Sequence, residues 1–387
     1  MVQFKPGSIA VPQTRDAYER VLSHHGQWFR WMKAFTCPCL NEITIQPDPQ
    51  CQVCQGRGFI YRNPQTVTIF QEYPRHDNLG RVYLEFPLKG NDLSLLKIRD
   101  KSGQILLFGS QPPDYSYIQL ATWPLPYEPI TADYEAVITR SVVNEDSEVI
   151  SSTSKILRAL APRIYTEGRT VSGAVESVSR VYNRTKLESL IAISINKDYI
   201  YLDDMGTWAQ GDILEVDYTY TPPLNLVMYG VSQKMKWEKA YIGEDASAVL
   251  VSPYYIRPFA DDIFTALSQE QVDQEIIDPT TTVGNDILAH VFDVCRLEAI
   301  IQADGVMYDL ASSVELFGRN EIKWKIAKPT MKCIVHFTYH PTYRGLPNKA
   351  SVRHAENKSF AIRTSMTMFD RVSSKERNDL AQFQVGN

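Results

Sequence analysis

Near the start of the chain, apolar residues recur at helical spacing. Tyr18, Val21, Leu22, Trp28, Phe29, Trp31, Met32 and Phe35 fall near intervals of three, four and seven, with polar residues between them. This spacing puts them on one stripe and predicts an amphipathic helix over residues 14–35. Thr14 suits the N-cap, and Asp16 and Glu19 suit the first turn, where the helix dipole favours negative charge. Pro38 predicts an end before Cys37, because proline disfavours helical geometry in the residue before it.

After Pro64 the period shortens. β-Branched and aromatic runs at 66–70, 81–86, 93–99 and 104–108 are separated by Gly, Pro, Asn and Asp at intervals of about 8 to 14 residues, the pattern of sandwiches or barrels. Residues 100–103, ending in Gly103, read as a hairpin loop. A weak repeat follows. Residues 199–222 hold Ile200 and Leu202, a turn near Trp208, and an alternating strand over 213–220; residues 321–341 hold Ile322 and Trp324, a turn at Pro329, and a strand over 333–340. Both stretches close on Thr-Tyr-x-Pro. Further strand-like runs at 171–181 and 288–301 precede them, and 133–140 reads as the last strand of an earlier, more diverged copy.

The expected fold is therefore mainly β: an N-terminal amphipathic helix and cysteine knuckle, then tandem β-sandwich-like modules. Residues 1–64 form the helix and knuckle, 65–145 a first β-module, 146–228 a second, and 229–286 an insertion or linking segment with a strand at 247–256. Residues 287–347 form a third module, and 348–387 a polar C-terminal arm that orders on a partner.

Composition narrows the function. The 387 residues are 44% hydrophobic and 22% charged, values of a folded chain with room for sizeable cores. Forty basic residues against 45 acidic give a net charge of −5, which excludes a global basic field for holding nucleic acid. Apolar runs such as 105–108 and 190–195 fall far short of the roughly 20 residues of a membrane helix. Residues 1–6 lack the apolar stretch of a secretory signal, so cytoplasmic synthesis is expected.

The densest chemistry is in the cysteines. Four of six lie within eighteen residues: Cys37-Pro38-Cys39, eleven residues, then Cys51-Gln52-Val53-Cys54-Gln55-Gly56-Arg57-Gly58. Two short knuckles delivering four thiolates suit the closed tetrahedral shell of a structural zinc ion. Gly56 and Gly58 let the backbone turn back and leave amides free to face the sulfurs. Two disulfides would use the same residues, but a chain made in a reducing compartment argues against them. A segment this poor in large apolar residues has no core of its own, so metal binding would supply folding free energy.

Other candidates have plainer readings. Cys295 and Cys333 read as buried small hydrophobes, His24 and His25 as a solvated helix face, and His336 and His340 as cross-strand packing rather than ligands. The pairs Asp203-Asp204 and Asp261-Asp262 read as turn residues, since neighbours on a strand face opposite ways. The sequons at 183–185 and 357–359 have no visible route to glycosylation. No phosphate loop, zinc-protease helix, nucleophile elbow or dinucleotide turn occurs, so no catalytic residue is assigned and the chain is not expected to be an enzyme. Twenty-one Tyr against 15 Phe, many beside proline, fit a protein that works by contact with other proteins.

The Cys-x-x-Cys-x-Gly-x-Gly half resembles the zinc knuckles of DnaJ-type chaperones. Its Cys-x-Cys partner and single pair of knuckles depart from that family, so chaperone function does not carry over. The whole layout of helix, four-Cys knuckle, tandem β-modules closing on Tyr-x-Pro and polar arm resembles virion structural proteins of tailed bacteriophages, those of the neck or head-to-tail joint in particular. The resemblance implies a ring or collar of identical subunits in the virion, assembled in the host bacterial cytoplasm. Its neighbours would be the connector or portal and tail components, and it would surround a DNA passage without reading sequence. Three alternatives are a zinc-ribbon nucleic-acid-binding protein with Lys33, Arg57 and Arg62 as a local basic patch, a tail or baseplate-associated protein, and a carbohydrate-active enzyme of the tail whose carboxylates converge only in space.

Overall fold

A computed structural model describes residues 15–368 except 41–45, 49–50, 52, 55–57, 65, 85, 113–116, 123–127, 152–154, 167–168, 204–207, 210, 231–246, 254–255, 257, 283, 290 and 347–360. Thr14, Gly56, Arg57, Asp204, the second sequon and most of the expected arm therefore lie outside the described residues.

The chain is mainly β. Its N-terminal helix, Arg15–His25, is half the expected length, and residues 26–36 are a strand instead. Gly26 makes the break. A Cβ there would sit 2.4 Å from the carbonyl oxygen of Leu22 and from Oδ1 of Asn225, so only glycine lets the chain turn between helix and sheet. Beyond it, Phe29, Arg30, Trp31 and Met32 are all buried in succession, which a one-sided helix cannot do and a strand covered on both faces can.

Strand Gly26–Thr36 pairs antiparallel with Leu224–Gly230, Ile263–Ala266 and Phe59–Arg62. From Leu224–Gly230 the ladder runs through Ala248–Pro253, Ala361–Met368 and Thr342–Gly345 back to Ile263–Ala266. Six strands thus close into an antiparallel barrel, which leaves none of them with an open edge. Phe29, Leu226, Leu250, Phe264 and Met366 belong to its core, and helix residue Tyr18 is buried with its hydroxyl on the Val251 carbonyl. Two expectations change here. The segment read as an insertion supplies two barrel strands, and part of the segment read as an arm, Ala361–Met368, is a third.

The modules are built alike. In the second, strand Leu214–Thr221 lies between Arg140–Asp146 and Ala174–Asn183, and a second sheet orders Ile156–Arg158, Tyr199–Leu202 and Ala192–Asn196 over the same core. In the third, Cys333–Tyr339 lies between Gln271–Ile277 and Val294–Gln302, with Asp286–Ile287, Glu321–Trp324 and Val314–Phe317 opposite. The order is the same, and the long pairing carries two register shifts in each. The stretches matched in the sequence occupy equivalent strands, and the Pro after each feeds a barrel strand. In the first module Thr131–Val137 is flanked by Thr66–Glu72 and Lys97–Arg99. Residues 93–95 are a 3-10 turn, and Ile105 and Phe108 form only isolated bridges, so neither run is the full strand expected.

Candidate metal centre

The cysteine segment is the loop of a hairpin. Cys37 directly follows strand Gly26–Thr36, Gly58 directly precedes Phe59–Arg62, and the strands pair at Thr36 opposite Phe59. The Cys37 amide donates to the Gly58 carbonyl at 2.8 Å, which ties the loop ends together. Within the loop, the Leu40 amide donates to the Cys37 carbonyl at 3.0 Å and the Cys51 amide to the Asp48 carbonyl at 3.1 Å, so Cys37 and Cys39 share one tight turn and Cys51 closes another.

These turns converge. The Sγ atoms of Cys37, Cys39, Cys51 and Cys54 all lie within 4.8 Å of one another. Cys37 and Cys51 approach to 3.8 Å and Cys39 and Cys54 to 3.4 Å. A tetrahedral shell with metal–sulfur bonds of about 2.3 Å needs sulfurs about 3.8 Å apart, so the donor set fits a metal ion. The four thiols are free, and these separations are far longer than a disulfide bond of about 2.05 Å. Gly58, at φ +79°, points its amide at Cys54 Sγ at 3.4 Å, the sulfur-facing amide that the glycines of the motif provide.

Electrostatics favour a cation among them. The amides of Cys54 and Val53 bring the Cys51 thiol down to about 7. Burial pushes Cys39 up to about 12, with the sulfurs of Cys54, Cys37 and Cys51 adding to the rise against the Asp48 backbone. At Cys37 the Cys39 backbone acts to lower the pKa, but burial and the Cys54 and Cys51 sulfurs leave it raised. The Cys51 thiol ionises readily while Cys37 and Cys39 resist, which is how crowded thiols behave before an ion neutralises them.

The other sequence candidates stay apart from this cluster. His24 and His25 end the helix with their ring centres 6.3 Å apart and their planes tilted by 57°. Cys333 is buried as expected, but Cys295 is only half-buried; burial raises their thiols to about 11 and about 12. Asp262 is more than a turn residue. Its buried carboxylate accepts from the Trp31 indole at 3.1 Å, the Ala34 amide at 3.0 Å and the Phe259 amide at 3.0 Å, fastening strand Gly26–Thr36 to the next turn. Lys33 lies over the rings of Trp31 and Phe259.

Sequence reasoning missed a second constellation. Asp293 is fully buried where the barrel and two modules meet. Its Oδ1 accepts from Arg30 of the barrel at 3.1 Å and lies 3.2 Å from Lys197 Nζ of the second module; its Oδ2 is 2.8 Å from His340 Nδ1 of the third. Lys197 also donates to the Val294 carbonyl at 2.7 Å, and Arg30 to the Ser172 carbonyl at 3.3 Å. His340, expected to pack across strands, places its ring nitrogen Nδ1 on the Asp293 carboxylate instead. These residues are far apart in sequence, and no motif could have joined them.

No protein-family model matches this chain, and no curated protein is significantly similar to it. Among the described residues no helix is long and apolar enough to cross a membrane.

Proposed function

We propose that this chain is a non-enzymatic building block of a tailed-bacteriophage virion, a homo-oligomeric neck or head-to-tail joining component with a structural zinc ion in its N-terminal loop. Zinc is the ion best matched to four thiolates in a closed tetrahedral set, and it offers no open position for chemistry. The assembly reading is carried by the apolar surface that a single chain leaves in water. On the third module Ile276, Ile334, Ile301 and Met307 are successive cross-strand neighbours, with Ile276 67% and Met307 68% exposed. Beside them on the edge strand Val272 is 74% exposed, and Leu187, Ile191 and Ile193 stand out from the second module. Such patches mark surfaces that neighbours cover. Modules locked together through Asp293 would present them at fixed angles, as a ring or collar between connector and tail requires.

Two measurements test this. Metal analysis of the purified chain should find one zinc per chain. Light scattering and electron microscopy, alone and with the connector and tail proteins of the same genome, should show a symmetric multimer. A strict monomer that stays monomeric with those partners, or one that turns over a substrate, overturns the assignment.

A further inference from the structure

A cavity of about 230 Å³ separates the cysteine loop from the third module. Val53 and Cys54 line it on the loop side, and Phe292, Arg319, Asn320 and Glu321 on the other. Arg319 is the middle residue of the turn joining strands Val314–Phe317 and Glu321–Trp324. Gly318 enters the turn at φ +61°, and the buried Asn320 side chain donates from Nδ2 to the carbonyls of Leu288 at 2.8 Å and Val291 at 3.0 Å, so the turn is held firmly.

Its charge is poorly compensated. Among the described residues no carboxylate lies within ion-pair distance of Arg319, and its Nη1 is buried without a hydrogen-bond partner. The ring of Phe292 lies 5.3 Å from the guanidinium. Burial, and then repulsion by Arg30, bring its pKa down to about 10 against the pull of Asp293 and Glu176. Asp293 is already shared by Arg30, Lys197 and His340. Glu321 lines the same cavity and its Oε2 accepts from the neutral Asn285 side chain at 3.0 Å, but its carboxylate makes no ion pair with Arg319 among the described residues. Four thiolates around one divalent ion carry more negative charge than the ion neutralises. An under-compensated anion and an under-compensated cation therefore border one cavity.

We infer that Arg319 is the electrostatic partner of the metal–thiolate centre across this cavity, so that metal loading and the seating of the cysteine loop on the third module are coupled. The inference rests on the metal reading above. Arg319 would act through the charge of the centre rather than as a ligand, a role that outer-shell residues of metal sites commonly play.

A thermodynamic cycle on the full chain tests it, with Arg319→Met, Arg319→Lys and the remote exposed control Lys89→Gln. Zinc retention is measured by chelator competition, and melting is followed with and without zinc. Arg319→Met should hold zinc about tenfold more weakly, while Arg319→Lys and Lys89→Gln stay within about threefold of the parent. Without zinc, Arg319→Met should melt at or above the parent, because it removes a half-buried charge whose Nη1 is left without a partner; with zinc it should melt below. Equal melting shifts in both states, unchanged zinc retention in Arg319→Met, or an equal loss in Arg319→Lys would overturn the coupling while leaving the metal site intact. A parent chain that takes up no zinc would overturn both.

Discussion

Replacing Asp293 with alanine removes the anion that Arg30 and Lys197 share, and that His340 meets through its ring nitrogen, at the joint between the barrel and two modules. Asp293 is fully buried and Arg30 only 4% exposed, so solvent screens little of the pair. Removing one partner from a buried pair costs about 3–5 kcal/mol, because the other charge is left desolvated and uncompensated. Here Arg30 and Lys197 would both be stranded, which places Asp293→Ala at the upper part of that range. Urea titration of parent and variant gives the difference. Hydrogen exchange should also show opening at the His340 amide, which donates to the Asp293 carbonyl at 2.9 Å. Burial opposes ionisation of Asp293, but Lys197, Arg30 and the His340 hydrogen bond hold its carboxyl well below the usual carboxylate range. A group whose pKa is depressed on folding gives stability that is present above its unfolded pKa, about 3.9, and lost as pH falls through the lower folded value. The gap between parent and variant should therefore stay constant from about pH 8 to 5 and shrink only below about pH 4. A difference under about 0.5 kcal/mol at neutral pH, or a gap that closes between pH 5 and 8, would refute the view of Asp293 as the joint's anchor.

Two further outcomes follow from local geometry. In metal-free protein at pH 7, Cys51 should be alkylated before Cys39, since the one thiol lies at about 7 and the other at about 12; peptide mass spectrometry over a time course reads the order, and added zinc should protect all four. Gly26→Val should destabilise by about 1–3 kcal/mol or more through collision with Leu22 and Asn225, whereas Gly103→Ala, where a Cβ meets nothing within 4 Å, should be limited to the strain of its positive φ; thermal melts of the two variants compare them.

The parts of this protein that were legible in its sequence are those fixed by neighbours a few residues apart. The short spacings of Cys37 with Cys39 and of Cys51 with Cys54 announce a four-cysteine cluster that could hold a metal ion, because each spacing keeps two sulfurs close together. Alternation over residues 214–220 and 333–339 announces strands, because a pleated chain with one face in a core must alternate. The Thr-Tyr-x-Pro echo marks equivalent strands of two like modules. Residues 28–35 misled because a run buried on both faces carries no period of its own: Trp28, Phe29, Trp31 and Met32 match a helical stripe and a doubly covered strand equally well, and only the pairing with 224–227 and 263–266 decides. Barrel closure by residues 361–368 and the meeting of Arg30, Lys197, Asp293 and His340 join segments that lie tens to hundreds of residues apart. Their geometry comes from how the sheets close and pack, a property of the whole folded chain that no local stretch encodes.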